Sequence, residues 1–153
     1  MMKSVLLILL ISTSSYNNDI SIIQELYLSA YTSESNCNHL GDKLNSIENQ
    51  NNILIKGYKG CFYFIKCKFI NNPIKKLIYF RKGKKLLETA IQEDPKSVEL
   101  KFLRYTIQKN LPNFLSYNDN LEKDLSFVNK NITAINNKKT QQFIVKSLKS
   151  ITK

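Results

Sequence analysis

Few side chains in this sequence are of the types that carry out catalysis, and they are scattered. The single histidine, His39, lies in a polar stretch with Cys37 and Asp42. Cys37 and His39 are two potential metal ligands, whereas a zinc site needs three or four that converge. The sequence contains no catalytic-triad order, glycine-rich phosphate loop or metal-binding helix motif. It therefore predicts no enzyme, metal or cofactor, and we expect His39 to be an exposed helix residue.

The three cysteines, Cys37, Cys61 and Cys67, do not form the even-numbered set of a disulfide framework. Cys61 and Cys67 are six residues apart on a predicted helix, so they point to different sides and cannot bridge each other. A bridge from Cys37 to either one stays open if the compartment is oxidising. The alternative is that all three are small apolar residues of the core.

Arg104 is the charged residue most clearly out of place, because it lies between two apolar stripes of one predicted helix. A guanidinium in such surroundings needs a carboxylate or carbonyl partner nearby. Two interpretations are open. Arg104 either forms a structural salt bridge to the turn at residues 118–124 or marks a groove that binds a partner's carboxylate. The other polar residues that could share a site with it are Glu99, Gln108, Asn110, Tyr117 and Asp119.

Positive charge dominates the composition, with 23 lysines and arginines against 12 acidic residues and a net charge of +11. Only Arg81 and Arg104 are arginines, although proteins that read bases or clamp phosphates favour the guanidinium. Lysine, asparagine and isoleucine all have A/T-rich codons, so either genome composition or an anionic partner explains the charge. Lys56, Lys59 and Lys66 share one side of a predicted helix, and with Arg104 they are the predicted partner-binding residues.

The first 15 residues follow the order of a secretory signal peptide. Lys3 precedes an unbroken apolar run at residues 5–11, and small polar residues follow. The run is shorter than the roughly 20 residues that a membrane-spanning helix needs. We predict a signal peptide at residues 1–15, a single domain at residues 16–153 and a periplasmic or secreted location. The alternative is an N-terminal core helix. Export would separate the chain from nucleic acid, which is not expected as a partner.

Apolar residues recur at helical spacing along the rest of the chain, and no alternating strand pattern occurs. The predicted fold is all-α, a single-domain array of antiparallel helix pairs. Helices are expected at residues 19–31, 33–47, within 51–72, and at 73–93, 97–111, 121–135 and 140–151. Gly57 and Gly60 should let a neighbouring helix approach closely. Leu77 is expected on a buried face, and Phe114, Leu115 and Tyr117 are expected as buried anchors of a turn.

Gly83, Leu87, Ala90 and Pro95 stand at the spacing of the second-helix signature in tetratricopeptide repeats. In that signature the small residues let paired helices touch, and the proline ends the unit. The preceding helix of such a repeat would lie at residues 67–76, where Asn-Asn-Pro breaks the chain, and no second copy is visible. The match is half a repeat, so we expect a tetratricopeptide-like helical bundle and not a true repeat protein.

Four segments carry a longer resemblance: GYKG at 57–60, KLIYFRKGKKLLETAI at 76–91, DPKSVELKFLRYTIQKNLPNFLSY at 94–117, and NDNLEKD at 118–124. They resemble a family of small, uncharacterised exported proteins of Bacteroidota, flavobacteria in particular. In that family a signal peptide precedes GYKG, KxxYFxKGKKLLExAI, DPxxVExxFLRxxIQxNxPxFLxY and an Asp-rich turn. The family often has glycine where this chain has Ser116, so we expect a less tight turn here. The resemblance implies a fold and export, and no activity.

Taken together, these patterns favour an exported module of the cell envelope that binds an envelope protein or has a structural role. The alternative is a protein that binds anionic surfaces, meaning lipid head groups or polyanions, through its lysine-rich helix faces. In that second case the expected contact with a membrane surface is weak. The two classes differ in salt dependence, since binding to an anionic surface weakens steeply as salt is added.

Overall fold

The computed structural model describes residues 18–151, and among these residues it contains seven α-helices and no strand. The all-α prediction is confirmed. The helices are α1 at residues 18–30, α2 Glu34–Ser46, α3 Ile53–Lys66, α4 Pro73–Glu93, α5 Val98–Asn110, α6 Leu121–Asn131 and α7 Lys138–Ile151. Short 3-10 turns lie at Cys67–Phe69, Asn113–Leu115 and Ile132–Ala134.

The predicted signal peptide lies outside the described residues. Within them, no helix is long and apolar enough to cross a membrane.

Capping side chains set most of the helix starts. Ser33, Asn52, Asn72 and Ser97 each accept a hydrogen bond from a backbone N–H in the first turn of the helix that follows. Helix α6 is an exception, because Asn120 precedes it without a side-chain capping bond. The helix is also shorter than predicted, because the 3-10 turn Ile132–Ala134 replaces its last turn.

Helices α3 and α4 form a closely packed antiparallel pair. The order of their contacts shows the direction, since Lys56 bonds to Glu93 near one end and Phe64 packs on Phe80 near the other. At the crossing, a Cβ added to Gly60 would lie 2.8–2.9 Å from backbone and Cβ atoms of α4. The predicted close approach at the glycines is therefore confirmed, and glycine is required there for lack of space.

Helix α5 runs through the centre of the molecule, packed against α3, α4, α6 and α7. Every residue from 99 to 108 is buried, as expected for a helix with apolar stripes on opposite sides. Three of these residues, Glu99, Lys101 and Arg104, carry charged groups. Each of these groups needs a partner, because a buried charge without one would destabilise the fold.

One end of the molecule is more exposed than predicted. Residues 71–78, which include the first turns of α4, are all exposed. Leu77 is 46% exposed and Phe114 is 82% exposed, so the predictions that these side chains are buried are wrong. Only Tyr117 is a buried anchor of the turn, with its ring stacked on Phe64 at 5.6 Å. This exposure results from tertiary packing, because no described neighbour covers this end of α4.

Ser116 lies in the left-handed region, with φ of 48°, directly after the 3-10 turn Asn113–Leu115. A residue with a Cβ loses roughly 1–2 kcal/mol in that conformation. We expect Ser116→Gly to raise the free energy of unfolding by about 0.5–1 kcal/mol, measured by urea denaturation. The control is Ser126→Gly in α6, which should lower it by about 0.5 kcal/mol because serine is the better helix former. A loss of stability at position 116 would contradict the explanation.

Candidate functional site

Arg104 lies inside the fold, where it is 6% exposed. Its Nε and Nη2 donate to the two carboxylate oxygens of Asp124 at 2.6 and 2.9 Å, and its Nη1 donates to Glu88 at 2.8 Å. The Tyr117 hydroxyl donates to the other oxygen of Glu88. The structural salt bridge to the turn at residues 118–124 is therefore present. A contact between Arg104 and a partner's carboxylate stays a prediction, and it would have to compete with two internal carboxylates.

The three predicted lysines also have internal partners. Lys56 lies 2.7 Å from the carboxylate of Glu93, and Lys59 bonds to Gln50. Lys66 bonds to Glu34 and Asn38 on α2, at 2.9 and 2.7 Å. Within residues 18–151 no hydrogen bond or ion pair joins these lysines to Arg104. Their role as partner-binding residues stays a prediction, although Glu93 and Glu34 already offset the charges of Lys56 and Lys66.

The residues with catalytic side chains do not come together. His39 is exposed, and no group of three or more histidine, cysteine or acidic residues within residues 18–151 could hold a metal ion. Cys37 and Cys61 are fully buried free thiols, as the core interpretation predicted, and Cys67 is a half-buried free thiol. Burial raises the pKa of Cys37 to about 11, so this thiol is protonated at neutral pH.

A buried polar network connects four helices around Glu99. One carboxylate oxygen of Glu99 accepts from the Tyr58 hydroxyl at 2.5 Å and from the Gln24 amide at 2.9 Å. The same Gln24 nitrogen donates to Thr140 at 2.9 Å. Desolvation raises the pKa of Glu99 above its ordinary value. The network links α1, α3, α5 and α7, and its position in the core points to a structural role.

The raised pKa makes stability depend on pH in a stated direction. The folded state holds the proton of Glu99 more tightly than the unfolded state, so the free energy of unfolding should fall as pH rises above 4.5 and through the folded pKa. Glu99→Gln keeps an oxygen for both donors and carries no charge. We expect it to be more stable than the parent at neutral pH, with this fall removed.

Urea midpoints measured from pH 4 to pH 8 test that expectation. Glu25→Gln, at an exposed position of α1, is the control and should keep the parent's pH profile. Parallel profiles for Glu99→Gln and the parent would show that Glu99 does not cause the dependence.

An open apolar cavity of about 610 Å³ lies where α3 ends, α4 begins and α5 ends. The few polar side chains in its wall include Lys68, Lys76, Asn110 and Tyr31, and no acidic residue lines it. Cavities of this volume with mostly apolar walls are typical of small-molecule sites. Much of the wall comes from Phe64, Ile65, Leu77, Phe80, Leu111 and Phe114.

Exposed apolar side chains lie in the wall of this cavity and in the neighbouring first turns of α4. Ile74, Leu77, Ile78 and Phe114 are 69%, 46%, 55% and 82% exposed, and we call these four residues the apolar rim. Leu77 and Phe114 line the cavity itself, whereas Ile74 and Ile78 do not. Soluble monomers rarely expose large contiguous apolar patches outside interaction sites. The apolar rim is therefore a candidate contact surface.

Positive charge borders the apolar rim. Residues 49–87 contain ten lysines and arginines and no aspartate or glutamate. Lys75 and Lys76, in the first turn of α4, are exposed and form no ion pair within residues 18–151. Lys68 donates to the Tyr31 carbonyl at 2.8 Å and holds the end of α3 against α1. This acid-free run, with isoleucines and a leucine next to its lysines, is the sequence signal that could have located the site.

The fold and the site together define an all-α protein with an open apolar cavity at one end and lysines around its rim. Comparison of the chain with protein-family models, with curated proteins and with solved structures finds no match in any of the three. The resemblances to the Bacteroidota proteins and to tetratricopeptide repeats therefore stay predictions. The contacts described above carry the functional argument.

Proposed function

We propose that this chain is a non-enzymatic binding protein that attaches to anionic membrane surfaces through the apolar rim and its neighbouring lysines. The observation that carries the proposal is the presence, at one end of the molecule, of four exposed apolar side chains beside unpaired lysines. Export, predicted from Lys3 and the apolar run after it, belongs to the proposal, because an exported chain meets anionic head groups of the cell envelope.

The physics of attachment supports this surface. An apolar side chain that leaves water for the head-group region gains roughly 25 cal/mol for each Å² that it buries. A lysine near an anionic leaflet adds about 1 kcal/mol. Ile74 and Ile78 lie one turn apart on one side of α4, and Lys75 lies about 100° around the helix from Ile74, so apolar and charged contacts can form together. Lys76 lies on the cavity side of the same helix. The combination of apolar side chains with basic residues is typical of helices that lie in a membrane interface.

The other class predicted from the sequence, a protein-binding module, has less support from the geometry. The lysines predicted for that contact, Lys56, Lys59 and Lys66, are bound to side chains of this chain. Pairing of two copies through the apolar rim would also bring unpaired lysines of like charge together, which disfavours a dimer through this surface. Binding to a protein is the alternative that a negative result with lipid vesicles would favour.

Cosedimentation with lipid vesicles tests the proposal. The full chain should bind vesicles of phosphatidylglycerol and phosphatidylcholine in equal parts, bind pure phosphatidylcholine weakly, and dissociate as salt is added. Lys75→Gln with Lys76→Gln should weaken binding about 30-fold, from the loss of two lysine contacts. Ile74→Ser with Ile78→Ser should weaken it at least as much, because the apolar insertion is lost.

Lys138→Gln with Lys139→Gln is the matched control. These adjacent lysines are also exposed and also lie in the first turn of a helix, but that helix is α7. The control should bind nearly as well as the parent. Equal losses from both lysine pairs would show that net charge alone drives binding. Failure of the parent chain to bind anionic vesicles would overturn the proposal and favour the protein-binding module.

A further inference from the structure

We propose that the cavity behind the apolar rim binds the hydrocarbon chain of one monoacyl anion of the fatty-acid class, with its carboxylate beside Lys76. This inference goes beyond the proposed function, because the occupant is a single ligand molecule and not a bilayer. The cavity and the membrane contact share only part of their residues. The two can therefore fail separately in experiments.

The size and walls of the cavity fit a hydrocarbon chain. Its volume of about 610 Å³ lies in the range of sites that hold one small ligand. Phe64 on α3, Phe80 on α4 and Leu111 directly after α5 supply apolar surface from three parts of the fold, so a hydrocarbon chain in the cavity would be shielded from water on several sides. Burial of this kind drives the binding of apolar ligands.

The polar groups of the cavity are few and fit an anionic head. Lys76 lines the cavity, is exposed at its opening and has no ion-pair partner within residues 18–151. Tyr31 also lines the cavity, and its hydroxyl is buried. A cationic amphiphile would find no counterion, because no aspartate or glutamate lines the cavity. A carboxylate would pair with Lys76, which is exposed and has no internal ion-pair partner within residues 18–151.

A peptide segment fits the cavity less well than an acyl chain. The backbone of a peptide brings an N–H and a carbonyl at nearly every residue, and each needs a hydrogen bond once it is buried. The cavity wall offers few polar side chains for this purpose. An acyl chain has no polar group along its length, so the apolar wall leaves nothing unsatisfied.

Titration calorimetry of the full chain with saturated fatty acids of increasing length, each below its micelle concentration, tests the inference. We expect one molecule bound per chain and affinity that rises about fourfold with each added methylene until the cavity is filled. The alcohols of the same chain length should bind more weakly, because they cannot pair with Lys76. Binding that does not saturate at one molecule, or that ignores chain length, would overturn the inference.

Two substitutions should block the cavity without changing its charge. Leu111 and Leu115 both line the cavity, and both are only partly buried. A larger side chain can therefore be introduced at either position without changing a core side chain. Leu111→Trp and Leu115→Trp should each lower fatty-acid affinity at least tenfold, with the helical circular dichroism signal of the parent as the check on folding. Unchanged affinity in a folded variant of either kind would place the ligand on the surface and overturn the inference.

Charge variants distinguish the binding of the carboxylate from the binding of the hydrocarbon chain. Lys76→Gln should weaken fatty-acid binding several-fold and leave alcohol binding unchanged, whereas Lys75→Gln, next to it on α4 but outside the cavity wall, should change neither. An equal effect of the two substitutions would contradict the assigned head position.

The same variants distinguish this inference from the proposed function. Ile74→Ser with Ile78→Ser should lose vesicle binding and keep fatty-acid binding, because neither residue lines the cavity. Leu111→Trp should lose fatty-acid binding and keep vesicle binding. Loss of both activities in both variants would mean that the cavity and the apolar rim are one surface, which would overturn the separate ligand site.

Discussion

Arg104→Ala is expected to lower the free energy of unfolding by about 3–5 kcal/mol, the usual cost of breaking a buried ion pair. The substitution removes both donors to Asp124, a carboxylate that is completely buried. Lys101 is the nearest remaining cation, but its ammonium lies 3.9 Å from Asp124 and is too far to replace the two lost hydrogen bonds. Glu88 would also lose a donor.

Urea denaturation monitored by circular dichroism measures this change. Arg81→Ala is the matched control, because Arg81 is the other arginine of the chain and lies at an exposed position of α4. It should change stability by less than about 0.5 kcal/mol. The double variant Arg104→Met with Asp124→Leu should be more stable than Arg104→Ala, since the completely buried carboxylate is removed together with its guanidinium partner. A nearly unchanged stability for Arg104→Ala would instead favour the partner-binding interpretation.

Gly60→Ala is expected to lower the free energy of unfolding by about 2–3 kcal/mol. The added methyl would lie 2.8 Å from the Leu87 backbone nitrogen and 2.9 Å from the Gly83 carbonyl oxygen. Both are backbone atoms of α4, so relief requires the two helices to move apart and unpack their interface. Alanine is the better helix former by up to about 1 kcal/mol, which offsets part of the loss.

Gly41→Ala is the control for that substitution. Its methyl would meet the outer edge of the Phe62 ring, a half-buried side chain that can turn aside. We expect a change smaller than about 1 kcal/mol, because helix propensity and the small clash oppose each other. Equal losses at positions 41 and 60, both measured by thermal unfolding, would show that the close approach of α3 and α4 is not responsible.

Local sequence signals predicted the helices because the physical causes of their ends are local. Asn72 and Pro73 fix the start of α4, and Ser97 fixes the start of α5, by contacts within one turn. The central position of α5 was also predictable, since apolar residues on opposite sides require neighbours on both. The sequence does not specify which carboxylate binds Arg104, because Asp124 and Glu88 reach it from two other helices.

The candidate site was missed for a related reason. The helical pattern shows that Leu77 and Phe114 are apolar, and such residues are usually buried. Whether they are buried depends on a neighbour that covers them, and covering is a property of the assembled helices. The first turns of α4 have no such neighbour among the described residues, so the apolar pattern predicted burial where the structure shows exposure.

The most direct test of attachment through the apolar rim is the fluorescence of Phe114→Trp. The chain contains no tryptophan, so the new residue is the only indole reporter, and position 114 is the most exposed of the rim. Phe127→Trp is the control. Phe127 packs on Lys101, six residues before Ile107, the first residue of α5 in the cavity wall, which places it about 9 Å along that helix from the cavity.

Vesicles of phosphatidylglycerol and phosphatidylcholine in equal parts should shift the emission of Phe114→Trp to shorter wavelength and leave that of Phe127→Trp unchanged. Pure phosphatidylcholine should shift neither. An unchanged spectrum at position 114, or an equal shift at both positions, would contradict attachment through the apolar rim.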